Sequence, residues 1–171
     1  MKKIILQNKG FTLIETLVAL SIFSLSIVAL IVAAGQGISN FQTIKARLTA
    51  SYLAQEGVEL VHNVRDTEME GGSWASFIGT SSSVASCFSN QNPDGCTIDA
   101  VYAPQNIDVQ ACGTSGCPFM KYDQFVGYNH YSVYPPTVFK RTIVLNLLPS
   151  NNEVEVKSTV SYTVGGTTSQ I

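Results

Sequence analysis

From Leu17 to Ala34 the chain is an unbroken run of apolar and small residues, interrupted only by Ser21, Ser24 and Ser26, and no residue between Glu15 and Lys45 carries a charge. Crossing the hydrocarbon core of a bilayer takes roughly 20 such residues as helix, so the run predicts a membrane-spanning segment. The serines are compatible with it, because a hydroxyl can bond back to a carbonyl one turn earlier. From Phe41 onward the pattern changes. Phe41, Ile44, Leu48, Tyr52, Val58, Val61 and Val64 recur at helical spacings, while Lys45, Arg47, Glu56, Glu59 and Arg65 fall mostly on other faces. With no proline before Pro93, one helix is predicted from about Thr12 to about Asp66, roughly 80 Å at 1.5 Å per residue. Gly35 and Gly37 each weaken it by about 1 kcal/mol relative to alanine, and read either as a bend or as small residues tolerated at a membrane boundary.

Beyond this helix the pattern becomes that of a sheet. Gly71-Gly72 ends the helix, and residues 73–118 are rich in Ser, Asn, Gly, Asp and Pro with little periodicity, which predicts an irregular connection. Within it Trp74, Phe77 and Ile78 suggest a short core-filling helix, and Ile98 to Tyr102 a strand. Phe125 to Tyr134 and Thr137 to Leu148 are β-rich, separated by the turn at Pro135-Pro136. Glu153 to Val164 alternates, with Val154, Val156, Val160, Tyr162 and Val164 on one face. Pro149-Ser150-Asn151-Asn152 makes the turn before it. Three consecutive antiparallel strands lying on the second half of the helix give an α+β fold.

Composition sharpens this picture. Of 171 residues only 13% are charged, against the usual quarter or so, which fits a chain partly removed from water. Lys2, Lys3 and Lys9 precede Phe11, whereas all twelve acidic residues follow it. By the positive-inside bias the N-terminus stays in the cytoplasm and residues beyond about 40 are exported. Without residues 1–10 the chain holds seven basic and twelve acidic residues, a balance with no bulk attraction for nucleic acid.

An acidic side chain near the start of a membrane helix needs a partner, which makes Glu15 informative. It closes the sequence Gly10-Phe11-Thr12-Leu13-Ile14-Glu15, and this GFTLIE segment resembles the processing motif of type IV prepilins and type II secretion pseudopilins. The resemblance implies a leader cut after Gly10 by a prepilin peptidase, methylation of the new N-terminal Phe11, and a Glu15 carboxylate retained in a filament. Gly10 lets a protease approach the backbone closely. The amine freed at Phe11 supplies the positive charge that Glu15 lacks, within one chain or between subunits. An ordinary secretory signal cut near Val32-Ala33-Ala34 would need an unusually long apolar region with a glutamate in it. An uncleaved anchor explains the apolar run but not the motif.

The segment with Ala54-Gln55-Glu56-Gly57-Val58-Glu59, and later Phe139-Lys140-Arg141, is also similar to PilV-type minor pilins. Together these resemblances imply the type IV pilin fold: leader 1–10, transmembrane assembly helix 11–38, amphipathic continuation 39–70 and exported head 71–171. They imply a pilus-like filament subunit, a minor pilin, with a pseudopilin or a pilus-presented binding module as alternatives. The implied partners are the prepilin peptidase, other pilin subunits, inner-membrane assembly machinery and, before assembly, membrane lipid. After assembly the chain would sit in a cell-surface or periplasmic filament.

Cys87, Cys96, Cys112 and Cys117 allow three disulfide pairings, and export leads us to expect the two local ones, Cys87 with Cys96 and Cys112 with Cys117. Zinc on all four is the rival, although neither spacing is the usual knuckle and neither His62 nor His130 lies nearby. Asp94, Asp99, Asp108 and Asp123 could offer oxygens to calcium, but without EF-hand spacing. No motif ties His62 or His130 to a nucleophile, and no phosphate loop, dinucleotide fingerprint or HExxH occurs, so neither enzyme activity nor a cofactor nor a bound metal is expected.

Overall fold

The computed structural model describes residues 10, 12–100, 107–131, 133–150 and 152–171. The chain divides into two compact units, Met1–Gln42 and Thr43–Ile171. Helix α1 covers Leu13–Gly71, five residues beyond the expected end at Asp66, because nothing before Gly71-Gly72 breaks it. In the first unit every described residue is exposed. The Ser21, Ser24 and Ser26 hydroxyls donate to the carbonyls of Leu17, Leu20 and Ile22 at 2.8, 2.8 and 2.9 Å, so these hydroxyls are satisfied without water.

The second unit sets the rest of α1 against an antiparallel sheet, an α+β arrangement of type IV pilin-like architecture. The strands are β1 (Cys96–Ala100), β2 (Ile107–Ala111), β5 (Phe139–Leu147), β6 (Val154–Val164) and β7 (Thr167–Gln170), in the order β2-β1-β5-β6-β7. A separate hairpin pairs β3 (Lys121–Asp123) with β4 (Gly127–Asn129). The alternation in β6 holds: Val160 and Tyr162 are buried while Glu155, Lys157 and Thr163 are exposed.

The sheet departs from expectation in three places. Residues 73–118 are not merely a connection, since they contribute the β1–β2 hairpin in full register from Cys96 opposite Ala111 to Ala100 opposite Ile107. The expected end of β1 at Tyr102 lies outside the described residues. Phe125 to Tyr134 is not a strand of the main sheet: Gly127 takes a positive φ of 84°, and β4 turns back on β3 instead, leaving the edge of β5 to β1. The third is β7, which no expectation covered and which is all polar and exposed; the Gly165-Gly166 turn, with φ of 59° and 81°, creates it by folding the chain back on β6.

The face that α1 gives the sheet also differs from expectation. Val61 and Val64 are buried, but Phe41, Ile44, Leu48 and Tyr52 are 54–67% exposed. The buried stripe is Ala46, Ala50, Leu53, Gly57, Val61 and Val64, which is mostly small. Bulk comes from the other side: Met120, Phe139, Val160 and Tyr162 pack on Ala46, Ala50 and Leu53, while Phe77, Phe88, Ile98, Ile143 and Leu145 pack on Val61 and Val64. Small residues win because they let the helix backbone approach the sheet. At Gly57 a Cβ would collide with the Ser158 hydroxyl and lie 3.1 Å from Cδ of Arg141, so only glycine fits without a shift.

Candidate functional site: the N-terminal processing segment

Gly10 is exposed ahead of the helix, with nothing within 4 Å of where a Cβ would stand. Phe11 lies outside the described residues. Thr12 begins α1: its carbonyl accepts from the backbone N–H groups of Glu15 and Thr16 at 3.1 and 3.2 Å, and its hydroxyl accepts from the Glu15 N–H at 3.4 Å. Thr12 and Glu15 thus stand in the positions of a capping box, with the carboxylate in the first turn, where the helix dipole favours a negative charge. The Thr-x-x-Glu spacing inside GFTLIE is the sequence signal for this cap, and the helix-start reading passed over it. Glu15 is exposed and makes no ion pair among the described residues.

The segment therefore offers an exposed glycine ahead of the capped start of α1, which carries no charge between Glu15 and Lys45 and alone among the described residues is long and apolar enough to cross a membrane. Residues 6–33 match the prokaryotic N-terminal methylation motif. No curated protein and no solved structure matches the chain. The methylation motif is that of a type IV pilin-like or pseudopilin precursor, and it implies processing by a prepilin peptidase and assembly with other pilins. With the single apolar helix, it is consistent with membrane anchoring and an exported domain.

The remaining candidate residues lie in the second unit and are scattered over it. Disulfides join Cys87 to Cys96, tying a short 3-10 helix to β1, and Cys112 to Cys117, closing the loop after β2. Bonded sulfurs supply no thiolate for zinc. Of the four aspartates considered for calcium, Asp123 accepts from the Phe125 N–H at 2.8 Å, Asp108 from Gln110 at 2.8 Å, and Asp94 sits in an asparagine turn. No cluster of three His, Cys, Asp or Glu side chains able to hold a metal forms among the described residues. His62 is exposed on α1.

Asp99 and His130 belong to a network with the buried Arg141 and, at its exposed margin, Glu56. His130 follows β4 rather than lying in a strand; its backbone N–H donates to Asp99 Oδ2 at 2.8 Å, and its Nδ1 stands 2.9 Å from the same oxygen. The fully buried Arg141 guanidinium donates to Glu56 at 2.9 Å, to Asp99 at 3.3 Å and to the carbonyls of Leu53 and Ile98. One side chain thereby fastens α1 to β1 and, through Asp99, to the segment after β4. The signal for it was in the sequence, because Arg141 shares the inward face of β5 with Phe139, Ile143 and Leu145 by its period of two. Nearby, burial raises the Tyr128 phenol above its ordinary pKa, and the adjacent Tyr122 adds to the shift; the two rings are 5.1 Å apart.

Of the concavities among the described residues, two adjoin residues 74–77. A basin of about 610 Å³ at the end of α1 is walled by small residues such as Gly71, Gly72 and Gly79 around Glu68. That carboxylate is already engaged by the Ser82 and Ser83 hydroxyls and the Ser83 N–H at 2.6–2.9 Å. The second is a cleft of about 280 Å³ between α1, the short helix α2 (Trp74–Phe77) and the start of β6, with an aromatic wall.

Proposed function

We propose that the chain is a structural subunit of a type IV pilus-like filament, a minor pilin that enters the inner membrane with its N-terminus in the cytoplasm. A prepilin peptidase removes residues 1–10 after Gly10 and methylates Phe11. Residues 11–38 then serve as the membrane and assembly helix, 39–70 as its amphipathic continuation and 71–171 as the exported head. The observation that carries this reading is the methylation motif over 6–33, whose match takes in the capped start of α1 and most of the charge-free stretch between Glu15 and Lys45.

Assembly on this reading moves the helix from lipid into a bundle of other such helices. There Glu15 would be a stranded charge unless the Phe11 amine of its own or a neighbouring chain met it. The resemblance of the region from about Leu53 to Asp66, and of Phe139-Lys140-Arg141, to PilV-type minor pilins favours a low-abundance subunit over the main filament protein. Replacing Glu15 tests the assembly step apart from cleavage. In filaments sheared from cells, Glu15→Leu is expected to be processed normally and to lose at least about tenfold in incorporation, the effect of one lost charge pairing in a dry interface. Normal incorporation of Glu15→Leu would remove the proposed role of the carboxylate.

A further inference from the structure

We propose that the cleft between α1, α2 and β6 is a binding site for a neutral pyranose, such as a terminal hexose of a glycan. Its apolar lining is held by packing: Val61 and Phe77 belong to the core, and Trp74, Val154 and Val156 pack against it. Val61 and Phe77 form a buried apolar floor, and half-buried Trp74 stands as the wall, its ring 5.6 Å from that of Phe77 and tilted by 44°. A flat aromatic wall held in this way receives the C–H face of a sugar ring at little entropic cost, because the side chain is already ordered.

The rim supplies what hydroxyls need. Arg65 on α1 offers only donors, Glu153 before β6 only acceptors, and Asn152 beside it both. Each sugar hydroxyl donates and accepts, so it can use such a mixed rim, whereas a purely apolar side chain would leave these groups unpaired.

The charge balance selects within the class. Arg65 Nε and Nη2 already donate to Asp66 at 2.8 and 2.7 Å, so the guanidinium charge is answered locally while Nη1 still has donors to give. Because Asp66, just outside the cleft, answers Arg65, Glu153 leaves the rim, which His62 also lines, with one carboxylate in excess. That excess disfavours phosphates, uronic acids and nucleic acid, and leaves neutral sugars. A volume of about 280 Å³ suits a single small-molecule ring rather than an extended chain.

Trp74 is the chain's only tryptophan, so its fluorescence reports on this cleft alone. The experiment titrates the full chain, in a detergent without a sugar headgroup, with methyl glucoside, methyl galactoside, methyl mannoside, N-acetylglucosamine and, for contrast, glucuronate. At least one neutral sugar is expected to change Trp74 emission saturably, and glucuronate to do so more weakly. Glu153→Gln and Arg65→Met, both at the exposed rim, should each weaken that response by about tenfold, the worth of a hydrogen bond to a charged group. The proposal is overturned if no neutral sugar perturbs Trp74, if glucuronate binds as well as the neutral sugars, or if neither rim variant weakens binding. Because the readout involves neither cleavage nor filaments, its failure is distinct from failure of the pilin reading.

Discussion

The two halves of helix α1 obey different rules. Residues from Leu13 to Gln42 are apolar nearly all round and entirely exposed, and Gly35 and Gly37 have nothing within 4 Å of an added Cβ. From Thr43 to Gly71 one stripe is buried, it is mostly small, and its glycine is locked against Ser158 and Arg141. Composition alone ranks these halves the wrong way, because the greasier one has no protein core around it. In the second half, burial follows how closely the backbone can approach the sheet, so alanine and glycine turn inward while Ile44, Leu48 and Tyr52 face out. The first half meets its solvent by composition, and the second meets its sheet by shape.

Breaking the sheet's grip on the second half should have the largest effect. Arg141→Met leaves Asp99 buried beside His130 without its guanidinium, which should cost about 3–5 kcal/mol in the head, measured by chemical unfolding of the full chain in detergent. A loss under about 1 kcal/mol would mean that the ionic contacts are incidental to the packing.

The glycines sharpen the contrast further. Gly57→Val should lower head stability by about 1–3 kcal/mol through overpacking against Ser158, even though valine is the better helix former. Gly37→Val, with open space around it, should leave the head's unfolding midpoint unchanged. Equal responses at both positions would erase the distinction between the halves.

The smallest effect is a pH dependence. Tyr128 packs at the margin of the cluster formed by Ala46, Ala50 and Leu53, and burial raises its pKa. The folded state therefore holds the phenolic proton more tightly than the unfolded chain does. This contribution is complete below the unfolded value near 10 and is lost as pH rises through the higher folded one. Tyr128→Phe should flatten the alkaline end of the unfolding profile and leave its neutral region unchanged.

What the sequence disclosed follows from range. GFTLIE and the uncharged run are contiguous, so both the processing segment and the long helix can be read locally. The alternation of β6 is just as local. The inward face of α1 was misread because periodicity finds large apolar residues, and nothing local says that a sheet will press against alanines and a glycine. Strand β7 escaped because Thr-Thr-Ser-Gln has no apolar face; only the two positive-φ glycines before it announce the turn. The Arg141 network joins residues 42 and 85 positions apart, and its one local trace is an arginine on the inward face of an otherwise apolar strand.

The central claim is that the segment at Gly10 is a processing site, and intact mass tests it most directly. The protein would be extracted from membranes with and without a co-expressed prepilin peptidase, beside a Gly10→Ala control. The expected result is a loss of the mass of residues 1–10 and a gain of one methyl group on Phe11, seen only with the peptidase and abolished in the control. A chain that stays full length with the peptidase present, or that is cut near Ala34, would contradict the account.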